Sequence, residues 1–384
     1  MTLIIRHKIE LILNNSMKHY FDQCFGYSRY AWNKLLDMHN KDYKITLNEQ
    51  LKQFKSKREA WEFTMPAYIP TYEMRILKQA LHRHHKANFK SKKQTKDTFY
   101  ADNTRFLKNS FELKGKHMLF GLVLGKKCRI RKQDRMMKLT EIPYRYGEKD
   151  VRILSVTIMK EIDRYYASFC IEVPNRGSTT GTNEIGIDPG VHSVMTLSDG
   201  TKYVLPKILS KLEKRALYYQ RKMSKRYVKN AKKQSKRYLK AKNKHQKTLR
   251  SKNQIKQNFM HQATTEIVRK NNYIAWEDCK PKRLMKNHKL ARAIGESCWF
   301  TLKTMLKQKC EMHGAKFILV DPLKASTQTC FNCGNRLVDE DKLKLNDRIY
   351  VCPVCGFIED RDVNAANNIL KFSKQMLAGA QPSE

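Results

Sequence analysis

Three acidic residues stand where a short apolar run ends or an apolar helix begins. Asp188 closes EIGID (184–188), Glu277 closes YIAWE (273–277), and Asp362 opens DVNAANNIL (362–370). Side chains of a strand alternate between its two faces. Gly186 and Asp188 therefore share one face and Ile185 and Ile187 the other; Ala275 and Glu277 likewise oppose Ile274 and Trp276. A small residue two positions before each carboxylate reads as open space beside it. If the two runs are neighbouring strands, Asp188 and Glu277 lie side by side. Asp362 begins a helix whose inner face is Val363, Ala366, Ile369 and Leu370, and a helix N-terminus favours an anion. Either Asp360 or Asp362 could serve merely as an N-cap; beside the other two acids, a ligand role for Asp362 is the stronger reading. Three carboxylates make a hard-oxygen donor set suited to Mg²⁺ or Mn²⁺. Two such cations can stabilise both the attacking and the leaving oxygen of a phosphodiester under hydrolysis.

A second constellation is CFNC (330–333) followed, eighteen residues on, by CPVC (352–355). Cys330, Cys333, Cys352 and Cys355 have the spacing of a zinc ribbon. Four cysteines close the coordination sphere, which makes the zinc structural rather than catalytic. Gly334 and Gly356 follow the second cysteine of each pair, where glycine permits a tight knuckle. A dithiol redox pair is the competing reading, and two such pairs in a reducing compartment argue against it. The remaining six cysteines (24, 128, 170, 279, 298 and 310) lie among apolar neighbours and read as core residues.

The elements that must position these groups follow from periodicity. Residues 2–12 read as a strand, and 16–41, 47–62 and 72–90 as helices, the last with the basic cluster Arg75, Lys78, His82, Arg83, His84, His85 and Lys86. Short β-like runs fill 91–175, and the last two, VRILSVTIMKE and RYYASFCIEVP, read as a hairpin. RGSTTGTN (176–183) is a linker and the best domain boundary. Beyond it come three strands, a long basic helical segment, a strand, an amphipathic helix over 291–314 capped by Gly314, the strand AKFILVD (315–321) and a last helix. That is the element order of an RNase H-like, mixed α/β domain, with the four-cysteine segment set between its last strand and last helix.

Charge indicates what such a site would act on. The 384 residues hold 77 Lys and Arg against 36 Asp and Glu, a formal net charge of +41. Between Lys211 and Lys256 nineteen basic residues face one acid, Glu213, over an apolar stripe of Leu212, Ala216, Tyr219, Met223, Tyr227, Ala231 and Tyr238. A helix of one sign forgoes the i,i+4 ion pairs that stabilise a solvated helix, so a polyanion, nucleic acid, is the expected partner. No run reaches the ~18 apolar residues of a membrane span, and the N-terminus lacks a signal-peptide core. The expected location is the cytoplasm, at the nucleoid.

The residues IGIDPGVHSVMTLSDG (185–200), WED (276–278), MKNHKLARAIGESCW (285–299) and QTCFNCG with CPVCGFIEDRDVNAANNIL (328–334, 352–370) resemble the TnpB family, transposon-encoded relatives of type V CRISPR effectors. RYAWNKLL (29–36) and LKQALHRHHKANFK (77–90) extend the resemblance more weakly. One departure is Cys279, where the family more often has leucine after Glu-Asp. The resemblance implies catalytic roles for Asp188, Glu277 and Asp362, and zinc on the four cysteines. It implies a guide RNA and double-stranded target DNA as partners, and cleavage at a RuvC site. The implied fold is multidomain α/β: a wedge β-barrel (1–12 and 106–182), a helical recognition domain (13–105), a RuvC-like nuclease domain (183–325 and 358–384) and a zinc ribbon inserted at 326–357. Two other readings are a non-cleaving RNA-guided regulator, which the complete acidic triad disfavours, and an accessory transposase.

Overall fold

A computed structural model gives the fold. It describes residues 2–83, 97–100, 111–114, 117–120, 136–139, 152–174, 181–231, 233–279, 288–344 and 346–378. The chain divides into two compact units, Met1–Pro174 and Asn175–Glu384.

The first unit starts with strand β1 (Thr2–Ile12) and helix α1 (Asn15–Lys41). Asn14 caps α1, its side chain accepting the Met17 N–H at 2.8 Å. Helix α2 (Leu47–Ser56) opens on a capping box of Thr46 and Glu49, and α3 spans Ile69–Arg83. Strands β2 (Asp97–Tyr100), β3 (Phe111–Lys114), β4 (His117–Phe120), β5 (Met136–Leu139), β6 (Arg152–Glu161) and β7 (Arg164–Pro174) complete it. The expected hairpin is present as β6 and β7, paired antiparallel around Ile162 and Asp163, with Ile162 at a φ of 64°. β1 pairs along the length of β7. Phe21, Cys24, Phe25, Ala31 and Leu35 of α1, at helical spacing, join Val156, Ile158, Phe169 and Ile171 of the sheet in one core.

The sheet differs from the barrel expected for this region. Its order is β2-β6-β7-β1-β5-β4-β3, with β2 and β3 at the two edges, and no pairing among the described residues closes it. Alternating apolar residues specify a strand with one buried face; they do not specify closure, which depends on tilt and stagger. The KCRIRK run (127–132), the linker residues 176–180, Cys128, His84, His85 and Lys86 lie outside the described residues.

The second unit is a five-stranded mixed sheet: β8 (Asn183–Asp188), β9 (Met195–Leu197), β10 (Lys202–Tyr203), β11 (Asn271–Glu277) and β12 (Lys316–Val320). Its order is β10-β9-β8-β11-β12. β8, β9 and β10 form an antiparallel meander, and β11 runs parallel to both β8 and β12. Helices α4 (Ile208–Ser224) and α5 (Lys236–Lys270) form the basic hairpin between β10 and β11. The expected amphipathic helix is broken in two, α6 (His288–Ser297) and α7 (Trp299–His313), because Cys298 adopts a left-handed conformation (φ 59°). Gly314 ends α7 at φ 73°, as its position predicts. The four-cysteine segment carries β13 (Ile349–Val351) and β14 (Ile358–Asp360), paired antiparallel, and runs directly into α8 (Arg361–Ala378).

Alternation sorts the sheet's side chains into two layers. Ile185, Ile187, Ile274 and Trp276 pack against Met260, Ala263 and Ile267 of α5 and Leu302 and Leu306 of α7. Tyr273, Ala275 and Val320, on the opposite face, pack against Ile369 of α8. Gly186 lies under α8 as well. A Cβ there would stand 2.0 Å from the Ala366 carbonyl oxygen and 2.9 Å from the Leu370 nitrogen. Gly186 therefore does not leave open space beside Asp188, as its position had suggested. It admits a helix backbone against the strand, and that close approach brings the start of α8 to the end of β8.

Candidate active site and metal centre

Asp188 and Glu277 end two adjacent parallel strands. Ala275 lies opposite Gly186 and Trp276 opposite Ile187, so the next step of the register sets Glu277 beside Asp188. The carboxyl end of a parallel sheet is where α/β proteins carry their sites. Asp362 enters from the first turn of α8. Burial, and after it the charges of Glu277 and Asp362, hold the Asp188 carboxyl well above the usual carboxylate range. Three carboxylates thus stand near one another, with Arg361 offsetting part of their charge, and a divalent cation bound among them would relieve the remaining repulsion. The cluster is looser than the cysteine cage: among the described residues only the four cysteines have ligand atoms all within 4.8 Å of one another.

The side chains around the acids sort their roles. Asp360 is the helix cap: its Oδ1 accepts the backbone N–H of Asp362 at 3.1 Å and of Val363 at 3.2 Å. Its Oδ2 accepts from Lys202 at 2.7 Å, and these contacts hold its pKa below the ordinary value despite partial burial. Asp362 is thereby free of the capping role and faces the other acids, with Arg361 donating to its Oδ1 at 3.0 Å. Asp278 is turned away, paired with Lys303 of α7 at 2.6 Å. Trp299 donates its indole N–H to the Gly190 carbonyl at 2.9 Å and so pins the turn that follows Asp188.

Glu277 is held at both oxygens. Ser326 donates to Oε1 at 2.7 Å and Cys279 to Oε2 at 3.0 Å. Sequence reasoning missed Ser326, which is distant in the chain; Cys279, read as core packing, does pack against the core of this unit and also donates to Glu277. Burial, and after it the nearby Glu277, push the Cys279 thiol up, so it remains a hydrogen-bond donor. Cys24 and Cys310 do lie in the core, and Cys170 and Cys298 are half-buried.

The four cysteines form the cage their spacing predicts. Sγ of Cys330 lies 3.7 Å from that of Cys355, and Sγ of Cys333 lies 3.6 Å from that of Cys352. A tetrahedral metal with bonds of ~2.3 Å to sulfur has sulfur–sulfur edges of about 3.8 Å, so the cage fits such an ion. Gly334 (φ 80°) and Gly356 (φ 70°) turn back so that their N–H groups reach the carbonyls of Cys330 at 2.9 Å and Cys352 at 3.0 Å. The next backbone N–H, that of Phe357, points at Cys355 and brings its thiol down, whereas burial and the neighbouring thiols push Cys330 up, so without a metal the cage shares its protons unevenly. The cage is fastened to α8 by two fully buried asparagines that sequence reasoning passed over. Asn364 donates to the Thr329 carbonyl at 2.8 Å and accepts the Phe331 N–H at 3.0 Å. Asn368 donates to the carbonyls of Ser326 and Thr329 at 2.9 and 2.6 Å.

The basic hairpin is less uniform than its composition. Leu209, Leu212, Ala216, Tyr219 and Met223 are buried or half-buried, but Tyr227 and Ala231 are exposed at the tip. Lys252 pairs with Glu213, and Lys256 donates to the Glu296 carbonyl at 2.8 Å, so these two lysines join helices instead of facing a ligand. No described helix is long and apolar enough to cross a membrane.

Comparison with known proteins agrees with this architecture. Residues 299–369 match the family model described as the TNB domain of Cas12f1-like proteins, and 168–288 match the model described as "Probable transposase". Residues 1–47 match its companion model, described as a helix-turn-helix domain, although the structure there is a strand followed by the 27-residue α1. A Streptomyces pristinaespiralis protein, named provisionally as an RNA-guided DNA endonuclease, is 34% identical over 217 residues, 56% of this chain and 52% of that protein. The Escherichia coli K12 protein InsQ, provisionally named likewise, is 24% identical over 260 residues, 63% of this chain and 62% of InsQ. The matched regions thus span between half and two thirds of these relatives' length. A cryo-EM structure of a Cas12f1–sgRNA–target DNA complex shares the fold, with a TM-score of 0.53 and 14% identity over 93% of this chain and 83% of that one. The three matching models and the relatives of one provisional name support assignment of the chain to the TnpB family that its sequence resembles.

Proposed function

We propose that the protein is an RNA-guided DNA endonuclease whose RuvC-type site is Asp188, Glu277 and Asp362. The observation that carries the reading is the placement of these acids at one sheet end, with Asp188 raised by burial and then by the charges of the other two. Divalent cations, Mg²⁺ or Mn²⁺, held by the triad would supply Lewis-acid activation of the attacking water and charge stabilisation at the leaving oxygen. The chain's own part is to hold the three carboxylates together at the sheet end. Asp360 anchors the first turn of α8, and Ser326 and Cys279 orient Glu277. Zinc in the cysteine cage would be structural, holding the ribbon (326–357) folded, while Asn364 and Asn368 fasten it to the helix that bears Asp362. In this reading residues 1–12 and 106–182 form the wedge, 13–105 the recognition domain, and 183–325 with 358–384 the nuclease. Base pairing to a guide RNA would read sequence while the protein holds backbone and shape, as the net charge of +41 suits.

The test is to purify the protein from cells that also carry its native locus and to sequence the RNA that accompanies it. A single abundant RNA with a variable end, and Mg²⁺-dependent cutting of a DNA matching that end, are the expected results. Heterogeneous RNA would sink RNA guidance, and guided binding without cutting would favour the regulator. Joined transposon–target DNA products would favour the transposase.

The hairpin gives a separate expectation. Lys236 and Lys240, exposed and one turn apart on α5, should both face phosphate. Changing both to glutamine should reduce the slope of log affinity against log salt by roughly 1.4–1.8, at ~0.7–0.9 per lost phosphate contact. Lys252→Gln should leave that slope unchanged, since Lys252 is spent on Glu213.

A further inference from the structure

Glu277 is the one acid of the triad whose two oxygens are held by different side chains. Ser326 is 2% exposed, and its hydroxyl donates to Oε1, while Cys279 donates to Oε2. A carboxylate oxygen has two lone pairs, so one donor at each oxygen fixes the carboxylate plane and leaves a lone pair on each for a metal. Hydroxyl-to-carboxylate hydrogen bonds are among the stronger kind. Ser326 is itself fixed. It follows Ala325, which takes a left-handed turn (φ 54°), and begins a short 3-10 turn ending at Gln328. Its carbonyl accepts from Asn368, and the same amide bridges to Thr329, next to Cys330. Asn364, one turn earlier on α8, grips the far side of that segment. Segment 325–331 is therefore bolted to the helix that carries Asp362, while the Ser326 hydroxyl reaches across to the strand that carries Glu277.

We propose that Ser326 is a positioning residue for Glu277, and that Asn368 keeps it in register with α8, so that two acids on separate elements are aligned through one hydrogen-bonded relay. The inference rests on the reading of Glu277 as a metal ligand. It predicts that loss of the hydroxyl loosens the metal without disturbing the ribbon.

The experiment measures Mn²⁺ binding to the full-length, zinc-loaded protein from the electron paramagnetic resonance signal of free Mn²⁺, alongside DNA cleavage, zinc content and nucleic-acid affinity. Ser326→Ala should weaken Mn²⁺ binding by roughly 10–100-fold, the usual cost of losing a residue that orients a metal ligand. Cleavage at limiting metal should fall in step, with zinc content and nucleic-acid affinity unchanged. Ser326→Thr, which keeps the hydroxyl, should recover most of the loss. Asn368→Ala, which leaves Ser326 in place but frees its segment, should weaken Mn²⁺ in the same direction. Glu277→Gln separates the two levels of the argument. If it leaves Mn²⁺ binding intact, the ligand reading itself fails. If it abolishes binding while Ser326→Ala binds Mn²⁺ like the parent, only the relay is overturned. A Ser326→Ala protein that loses zinc and melts early would also overturn it, because the residue would then serve the ribbon alone.

Discussion

Asp188→Ala should reduce DNA cleavage by on the order of 10³-fold or more, about 4 kcal/mol of transition-state stabilisation, with guide-RNA and target affinity within twofold of the parent. The expectation follows from its place. It ends a strand whose packing is set by Ile185 and Ile187 below it and by Gly186 against α8, and none of those contacts needs the carboxylate. Rates at saturating Mn²⁺ and filter-binding affinities check it; loss of binding together with cutting would make Asp188 a residue of the fold. A second signature comes from charge. The folded carboxyl titrates above its ordinary value of 3.8, so ionisation disfavours the native state. That cost is absent below about pH 4 and grows as pH rises towards the folded value. Metal-free Asp188→Asn should therefore melt above the parent at pH 7 and level with it near pH 3. Added Mn²⁺ should raise the parent's melting temperature and leave the variant's nearly unchanged, because the cation replaces the proton in relieving the same repulsion.

Cys330→Ser should have the largest effect on stability. Cys330 is fully buried and its sulfur is part of the cage. A structural zinc supplies on the order of 10 kcal/mol of folding free energy to its module, so losing one ligand should unfold the ribbon. Zinc per protein, measured by mass spectrometry, should fall well below one, and soluble yield with it. Unchanged zinc content would refute the cage. The effect should not stop there: an unfolded first knuckle removes the carbonyls that Asn364 and Asn368 grip, so α8 should lose protection from hydrogen exchange at its first two turns.

How much of this could be read from the chain alone differs by element. Strands β8 and β11, α8 and the cysteine cage are each specified locally, by alternation, helical spacing or knuckle chemistry, and all stand where their residues indicate. What escaped is set by tertiary contact. Gly186 looks from the sequence like a gap and is in fact a contact, because the helix that meets it begins 175 residues later. Asn364 and Asn368 look like neutral helix residues, since their partners are backbone carbonyls that carry no signature. The break falls at Cys298, a residue type that does not announce a left-handed turn, and not at Gly295 three residues earlier. The barrel expected for the first unit follows from the family resemblance, and residue alternation, which is the same in an open sheet and a barrel, does not distinguish the two. Asp360 and Asp362 could be told apart only by seeing which oxygen accepts the helix N–H groups.

Strand β14 ends at Asp360 and α8 begins at Arg361, with no linker between ribbon and nuclease helix. Each residue of a helix turns the next by about 100°, so one residue added at this junction would swing Asp362 away from Asp188 while leaving both modules intact. Insertions and deletions should be tolerated instead at the exposed far end of the ribbon, around Asp339–Lys342, where the chain is in turns. Across related chains the ribbon is therefore free to vary in reach but not in its junction with α8, and length differences should collect between the two cysteine pairs and never between the second pair and the last acid.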